Sequence, residues 1–507
     1  MKMKKLIINT TIIVFSIVLA AHAEKFAEIN GLPFRDVSKL IGATDLKGNV
    51  LIFYLTNEKA NFALFNSDGE QINTIDFQAR SNYEVETIFN TPDEFCIIYT
   101  YMIAYEILRY QLKINKTDGS VSDNSRISDV SADSEEFINN ITLYNGAIYC
   151  NVNKKLNQLS LRIFDGDQTP KIVSINTKMP YLFDHFRKHE PVLIKTSNLI
   201  ALPEQNPNLR SQLSFSKKSE VSSKYQGHMK NKVFLKDSLL YFLYDGYDFQ
   251  KDGKNSYTEI LKINIANSNH DYKLFVKAKS QPGEETNAYI LDDYLLKVGL
   301  SKKNFALSIY DLNSLTLIKE HNIGLTDEFF LKDGPLKQSG EKLDELAYDL
   351  DSKDNKIIFK ILKRGIPSIM AYNSDQETIS LKIGCYKAPS TATVGGGGFT
   401  PGSTISTPYG TVSTPGTWNY SPIRSSNIGN GTFIYFETAL DTKNFDKTSF
   451  TGGKVNYLEK TIEKINASDM KIGMMTAFTN GNNSFVAYVD KKEKVIIIDK
   501  VGSLIKF

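Results

Sequence analysis

The stretch "FALFNSDGEQINTIDF", residues 62–77, holds one apolar run, one polar break and a second, alternating run. Phe62 to Phe65 is apolar throughout. Ile72, Ile75 and Phe77 mark the return, with polar residues between them. Alternation of this kind describes a strand with one buried face. The break, Asn66-Ser67-Asp68-Gly69, is built from residues that accept the positive backbone angles of tight hairpins. The phrase recurs as "YQLKINKTDGSVSD" around Asp118 and "LSLRIFDGDQTPKIVSI" around Asp165. Weaker copies are "QLSFSKKSEVSS" around Lys217 and "ILKINIANSNHDYKLFV" around Asn267. Clear ones return around Asp311, Asp375 and Asp490, and "SFTGGKVNYLEK", residues 449–460, offers one more. The early turns lie about 50 residues apart, the length of a four-stranded propeller blade.

Each hairpin has another apolar run upstream, such as "NVLIFYLT", "EFCIIYTYM", "GAIYCNV", "NLIALP", "LLYFLYD", "YLLKVGL", "NKIIFKIL" and "GTFIYFE". A strand, a hairpin and a link to the next unit make a small antiparallel sheet, and radial repetition of such sheets hides most of their edges. The mature chain therefore resembles β-propeller repeat proteins in architecture, with no specific family matched. The resemblance implies an all-β fold of about seven or eight four-stranded blades over residues 44–507, after a short N-terminal segment, 24–43. A β-sandwich or a pair of β domains is the alternative. Trp418 is the only tryptophan, so Trp-Asp repeats are not the basis of the likeness. Helices are expected only in "RDVSKLIGA" (residues 35–43) and "LEKTIEKI" (residues 458–465).

The N-terminus reads as an export signal. Lys2, Lys4 and Lys5 precede an apolar run from Leu6 to Ala20, and Ala21-His22-Ala23 supplies the small residues of a cleavage site. Residues 1–23 form the expected signal peptide, cut before Glu24, and the mature protein is expected to be periplasmic or extracellular. No later run is long and apolar enough to span a bilayer. The three signal lysines account for the whole net charge of +3, so the mature chain is neutral. A neutral chain has no general attraction for nucleic acid, and none is expected as a partner. Cys96, Cys150 and Cys385 all fall in strand-like runs and read as small buried side chains.

Residues 388–424 interrupt the repeat with an uncharged stretch rich in Gly, Ser, Thr and Pro, apart from its last residue, Arg424. Its Thr-Pro-Gly and Pro-Tyr-Gly phrases encode turns joined by short extended pieces. Phe399, Tyr409, Trp418 and Tyr420 give it aromatic surfaces, and they are the candidate ligand-binding residues. Flexible linkers rarely keep such residues. The competing reading is a solvated surface loop.

"YDGYDFQKDGKNSYTEILKI" carries a possible calcium loop. Asp248, Gln250, Asp252, Ser256 and Glu259 take the first, third, fifth, ninth and twelfth positions of the EF-hand spacing, with Gly253 at the sharp turn. Gln250 departs from the usual acid, and flanking strands replace the flanking helices. An ordinary polar hairpin is the competing reading. His185 and His189 could share a helix face in "YLFDHFRKHEP", where Pro191 would stop the helix, and a surface loop is the plainer reading. No nucleophile elbow, zinc-protease helix, phosphate loop or dinucleotide fingerprint is present. These observations lead to an exported, non-catalytic propeller that binds a protein or glycan partner. A propeller hydrolase or lyase acting on carbohydrate, and a structural envelope protein, are the alternatives.

Overall fold

In the computed structural model, residues 23–501 are described except 33–36, 57–58, 78–82, 104–105, 128–135, 144, 154–157, 168, 177–212, 216–230, 237, 248–255, 278–283, 302, 340–354, 374–376, 388–398, 401–403, 408–409, 414–416, 419–431, 450–460, 462–463, 466–467, 469 and 481–482. Strand β1 (Ala23–Ile29) comes first. One sheet follows from β2 (Lys39–Thr44), β3 (Val50–Leu55), β4 (Ala60–Phe65) and β5 (Gln71–Phe77). A second uses β6 (Tyr83–Asn90), β7 (Glu94–Ile103), β8 (Glu106–Asn115) and β9 (Val121–Arg126). A third uses β10 (Glu136–Leu143), β11 (Gly146–Asn153), β12 (Gln158–Phe164) and β13 (Lys171–Asn176). The short β14 (Leu213–Phe215) precedes a fourth sheet of β15 (Asn231–Lys236), β16 (Leu239–Tyr247), β17 (Ser256–Asn264) and β18 (His270–Lys277). The fifth holds β19 (Glu285–Leu291), β20 (Tyr294–Leu300), β21 (Asn304–Asp311) and β22 (Leu317–Gly324). Next come β23 (Asp333–Ser339), helix α1 (Asn355–Leu362), β24 (Ile366–Asn373) and β25 (Thr378–Lys387). Four short strands, β26 (Phe399–Thr400), β27 (Thr404–Thr407), β28 (Gly410–Ser413) and β29 (Thr417–Trp418), precede β30 (Thr432–Asp441) and β31 (Lys447–Thr448). The chain ends in β32 (Ile472–Asn480), β33 (Asn483–Asp490) and β34 (Val495–Val501).

Five sheets are simple antiparallel meanders in sequence order. The sixth runs β24, β25, β30, with β31 and β23 sharing the far edge of β30. The seventh runs β32, β33, β34 and takes β1 as its outer strand, through pairs from Ala23↔Val501 to Ile29↔Ile496. Apolar side chains join the sheets in series. Ile88 and Phe95 of the second pack with Phe53 and Phe62 of the first, and Tyr149 and Phe164 of the third with Phe89 of the second. Val233 and Phe242 of the fourth meet Ile148 and Leu161 of the third, and Ile290 of the fifth meets Leu243 of the fourth. Phe305 of the fifth shares a core with Phe436 of the sixth. Phe485 and Ile498 of the seventh pack against Ile52 and Phe65 of the first, which brings the ends of the series together. At that joint Gly42 on β2 leaves room for Phe478, whose ring would come within 2.0 Å of an added Cβ. Burial falls toward the last strand of the sheets: β3 is almost wholly buried, whereas β9 alternates between exposed and half-buried. Seven four-stranded antiparallel units in a closed series make the chain a seven-bladed β-propeller.

The repeated turn has a common construction. An Asn or Asp ends the third strand, and its side chain accepts amides two or three residues on. Asn115 caps Thr117 at 2.8 Å, Asn264 caps Ala266 at 3.0 Å, Asp311 caps Asn313 at 3.0 Å, and Asp441 caps Lys443 at 2.7 Å. The residue four on has positive φ: Gly119, Ser268, Leu315 and Phe445. The residue after the cap donates its amide to the first turn of the same blade: Lys116 to Asp93, Ile265 to Ser238, Leu312 to Asp293 and Thr442 to Glu377. First and third turns therefore share one end of each blade, the turn face. Second turns and the links between blades leave from the other.

Several expectations change. Residues 39–43, expected as helix, form β2, because Leu40 and Ala43 are needed in the joint cores with the flanking blades. "NKIIFKIL", expected as a strand, is α1: Ile358, Phe359, Ile361 and Leu362 are buried and Ile357 is exposed, a spacing that suits a helix face. Of the hairpin expected near Lys217, Leu213–Phe215 pairs with β32 through Leu213↔Ala477, and Lys217 with the second arm lies outside the described residues. The turn near Asp375 is a first turn, and the true third turn of that blade begins at Asp441. The turn at Asp490 uses the same construction at the opposite end, where Lys491 donates to Lys471 just before β32. Of residues 458–465, Thr461, Lys464 and Ile465 are helical as expected and the rest lie outside the described residues.

Candidate functional site

The two ends of the propeller are unlike. On the turn face, connections between strands span six residues at most. The strand ends that flank every long stretch of sequence lie at the opposite end: 177–230 before β15, 248–255 between β16 and β17, 325–365 before β24, 388–431 between β25 and β30, and 449–471 before β32. We call this end the loop face. The uncharged insertion is therefore the second connection of the sixth blade.

Within the insertion, β27 pairs with β28 from Thr404↔Ser413 to Thr407↔Gly410, and β26 pairs with β29. The extended pieces expected from sequence are thus two short ladders. Phe399 is the register partner of Trp418, a pairing the sequence did not disclose. Tyr409 and Tyr420 lie outside the described residues, as do Asp248, Gln250, Asp252, His185 and His189. Ser256 opens β17. Glu259 lies inside β17, buried, and accepts the Tyr272 hydroxyl at 2.7 Å. Among the described residues, no three His, Cys, Asp or Glu side chains gather as metal ligands.

Beneath the loop face the joints between blades turn polar. At the second joint, Arg109 Nε donates to both oxygens of Glu86, at 3.1 and 3.0 Å. The Tyr149 hydroxyl donates to the same carboxylate at 2.7 Å, and the guanidinium lies 5.8 Å over the Tyr149 ring. The backbone supplies the reach, because the β6–β7 register shifts between Val85 and Thr87, leaving Glu86 as the extra residue of a bulge. In the sixth blade, Glu437 takes Lys337 at 2.6 Å and Lys382 at 3.7 Å.

The fourth joint holds the most deeply buried set. Asp245 on β16 accepts Thr258 at 2.7 Å, Thr286 at 2.7 Å and Lys297 at 3.0 Å. Lys297 also donates to Thr258 at 2.7 Å. Lys232 on β15 donates across the joint to Asn287 and, at 2.7 Å, to the carbonyl of Ala288. Burial works to raise the Asp245 carboxyl, but Lys297 and the two threonines outweigh it and hold it below its ordinary value. Burial lowers the Lys232 amine to about 7, against the pull of Asp245.

None of these charges was singled out from sequence. The available signal was a charge at an inward position of an apolar strand: Lys297 in "YLLKVGL", Asp245 in "LLYFLYDGY" and Lys232 in "NKVFLK". All three cysteines are buried and free, as expected, and burial pushes each thiol up to about 12. No helix among the described residues is long and apolar enough to cross a membrane.

No protein-family model matches the chain, and none of the curated proteins compared with it matches. Among solved structures, the chain is similar to the WD40 domain of SCAP from fission yeast, at 8% identity over 91% of this chain and 81% of that one, with a TM-score of 0.28. It is also similar to the dihydro-heme d1 dehydrogenase NirN in complex with DHE, at 8% identity over 84% and 78%, TM-score 0.23. An uncharacterized protein from Listeria monocytogenes aligns at 11% identity over 71% and 82%, TM-score 0.27. The propeller assignment rests on the strand order and the closure of the chain itself.

Proposed function

We propose that the protein is an exported, non-catalytic β-propeller that recognises a protein or glycan partner through its loop face. One observation carries this reading: every long connection leaves from the same end of the blades, while the other end is trimmed to short capped turns. Loop length costs a folded domain little, so such one-sidedness marks where added sequence is useful. The aromatic insertion is on that side, and aromatic rings offer large contact area to a partner surface or a sugar ring. Export is supported by the signal-like residues 1–23, which end at Ala23, the first residue of β1.

The test replaces residues 391–423 with a short Gly/Ser linker and compares capture of glycans and envelope proteins by the two mature chains. Bound species retained by the wild type should be lost from the variant, with the thermal midpoint nearly unchanged. Equal capture by both chains would refute recognition by the insertion.

A further inference from the structure

The fourth joint holds two amines and one carboxylate, all at most 3% exposed: Lys232, Lys297 and Asp245. Lys297 and Asp245 neutralise each other at 3.0 Å. Lys232 has no carboxylate in its hydrogen bonds, only the neutral oxygens of Asn287 and Ala288. Among the described residues, charged groups on the elements around it do not supply one. On β16 the facing acid is Asp245, already bound by Lys297, Thr258 and Thr286. Glu259 on β17 is bonded to Tyr272, and Tyr257 and Leu261, which share its side of the strand, pack toward the third blade. Lys262 lies over the Tyr241 ring, and Glu285, which opens β19, is exposed. Glu284 lies against Gly299 on β20. Lys236 and Asp293 pair at the far end of the joint.

A third charge in this joint is therefore an excess positive charge taken out of water, a costly state. Both oxygens that Lys232 meets are acceptors, which suit a neutral amine as well as a protonated one. We propose that the joint between the fourth and fifth blades is a proton-sensitive hinge, closed when Lys232 is neutral and loosened when it gains a proton. β15 and β19, the strands it ties, border the links 177–230 and 278–284, so loosening would begin at the loop face.

The sign follows from the two states. The folded amine titrates near 7 and the free amine near 10.5, so the unfolded chain binds the extra proton between those values. Stability therefore rises with pH across that window, and the penalty is complete below it. Other buried groups act elsewhere. His321, lowered by burial, contributes only below its ordinary value of 6.5, and the thiols weaken the fold only above their ordinary value of 9.0. Among the described residues, the interval from pH 7 to 9 belongs to Lys232.

The experiment is denaturant unfolding of the mature chain and of Lys232→Met between pH 7 and 9. The unfolding constant of the wild type should fall by up to about tenfold per pH unit relative to the variant. Superimposed pH profiles would overturn the proposal. Should Lys232→Met fail to fold, hydrogen exchange of the wild type decides the matter. Corrected for chemical rates, amides of β15 and β19 should open several-fold faster at pH 6 than at pH 9, with those of β2 and β32 unchanged. A uniform change across all four strands, or none, would overturn it.

Discussion

Ala23 lies opposite Val501, so the first and last described residues of the chain are partners in one sheet. Ring closure thus depends on six backbone pairs between β1 and β34 and on burial of Ala27 and Ile29 at the joint of the seventh and first blades. Ala27→Asp places an unpaired carboxylate in that buried joint, and is expected to cost about 3 kcal/mol or more. Denaturant unfolding reads the loss. Gly42→Val should be comparably damaging, because its side chain would meet the Phe478 ring across the same joint.

Cleavage before Glu24 would remove only Ala23 from that ladder and leave Glu24↔Lys500 through Ile29↔Ile496 intact. Mass spectrometry of the exported protein should therefore find a chain beginning at Glu24 that unfolds cooperatively. Recovery of the chain with residues 1–23 attached, or with a lipid adduct, would contradict the export reading.

The capped turns have a measurable worth. Asp490 caps Lys492 at 2.8 Å, and Lys494 in the same turn has φ of 59°. Asp490→Ala should lower stability by about 1 kcal/mol. Lys494→Gly should raise it by up to about 1 kcal/mol, since glycine adopts that conformation without the Cβ penalty. Thermal unfolding of the two variants should shift in opposite directions.

The polar joint of the second and third blades should behave as a unit. Tyr149→Phe removes one hydrogen bond to a charged group, a loss of about 2 kcal/mol. Arg109→Leu leaves Glu86 half-buried without its cation, a loss of about 3 kcal/mol. The double variant should cost less than the sum, because both residues serve one carboxylate. A double-mutant cycle by chemical denaturation measures the difference.

Much of the propeller was legible because its repeated element is local. Asn66, Asn115, Asp165, Asn264 and Asp311 each announce a hairpin within a few residues, and the apolar alternation on either side supplies the strands. What depended on distant partners was not legible. The Asp490 turn has the same local chemistry as the others yet sits at the opposite end, because β1 takes the outer edge of that blade. Asn355–Leu362 is rich in Ile and Phe and resembles a strand until its burial is known. The insertion was visible by composition, but its position on the loop face followed only from the order of β24, β25 and β30. The buried trio Lys232, Asp245 and Lys297 comes from three strands of two blades, and no spacing in the sequence joins them.

Blocking one face at a time tests recognition through the loop face most directly. The native thiols are buried and pushed up to about 12, so an introduced surface cysteine can be labelled selectively. Asp68→Cys places a bulky polymer on the turn face, and Lys387→Cys places it beside the insertion; both positions are exposed. Partner capture should survive the polymer at residue 68 and be lost with it at residue 387. Capture blocked at residue 68 and retained at residue 387 would show that the binding surface is the other end of the propeller.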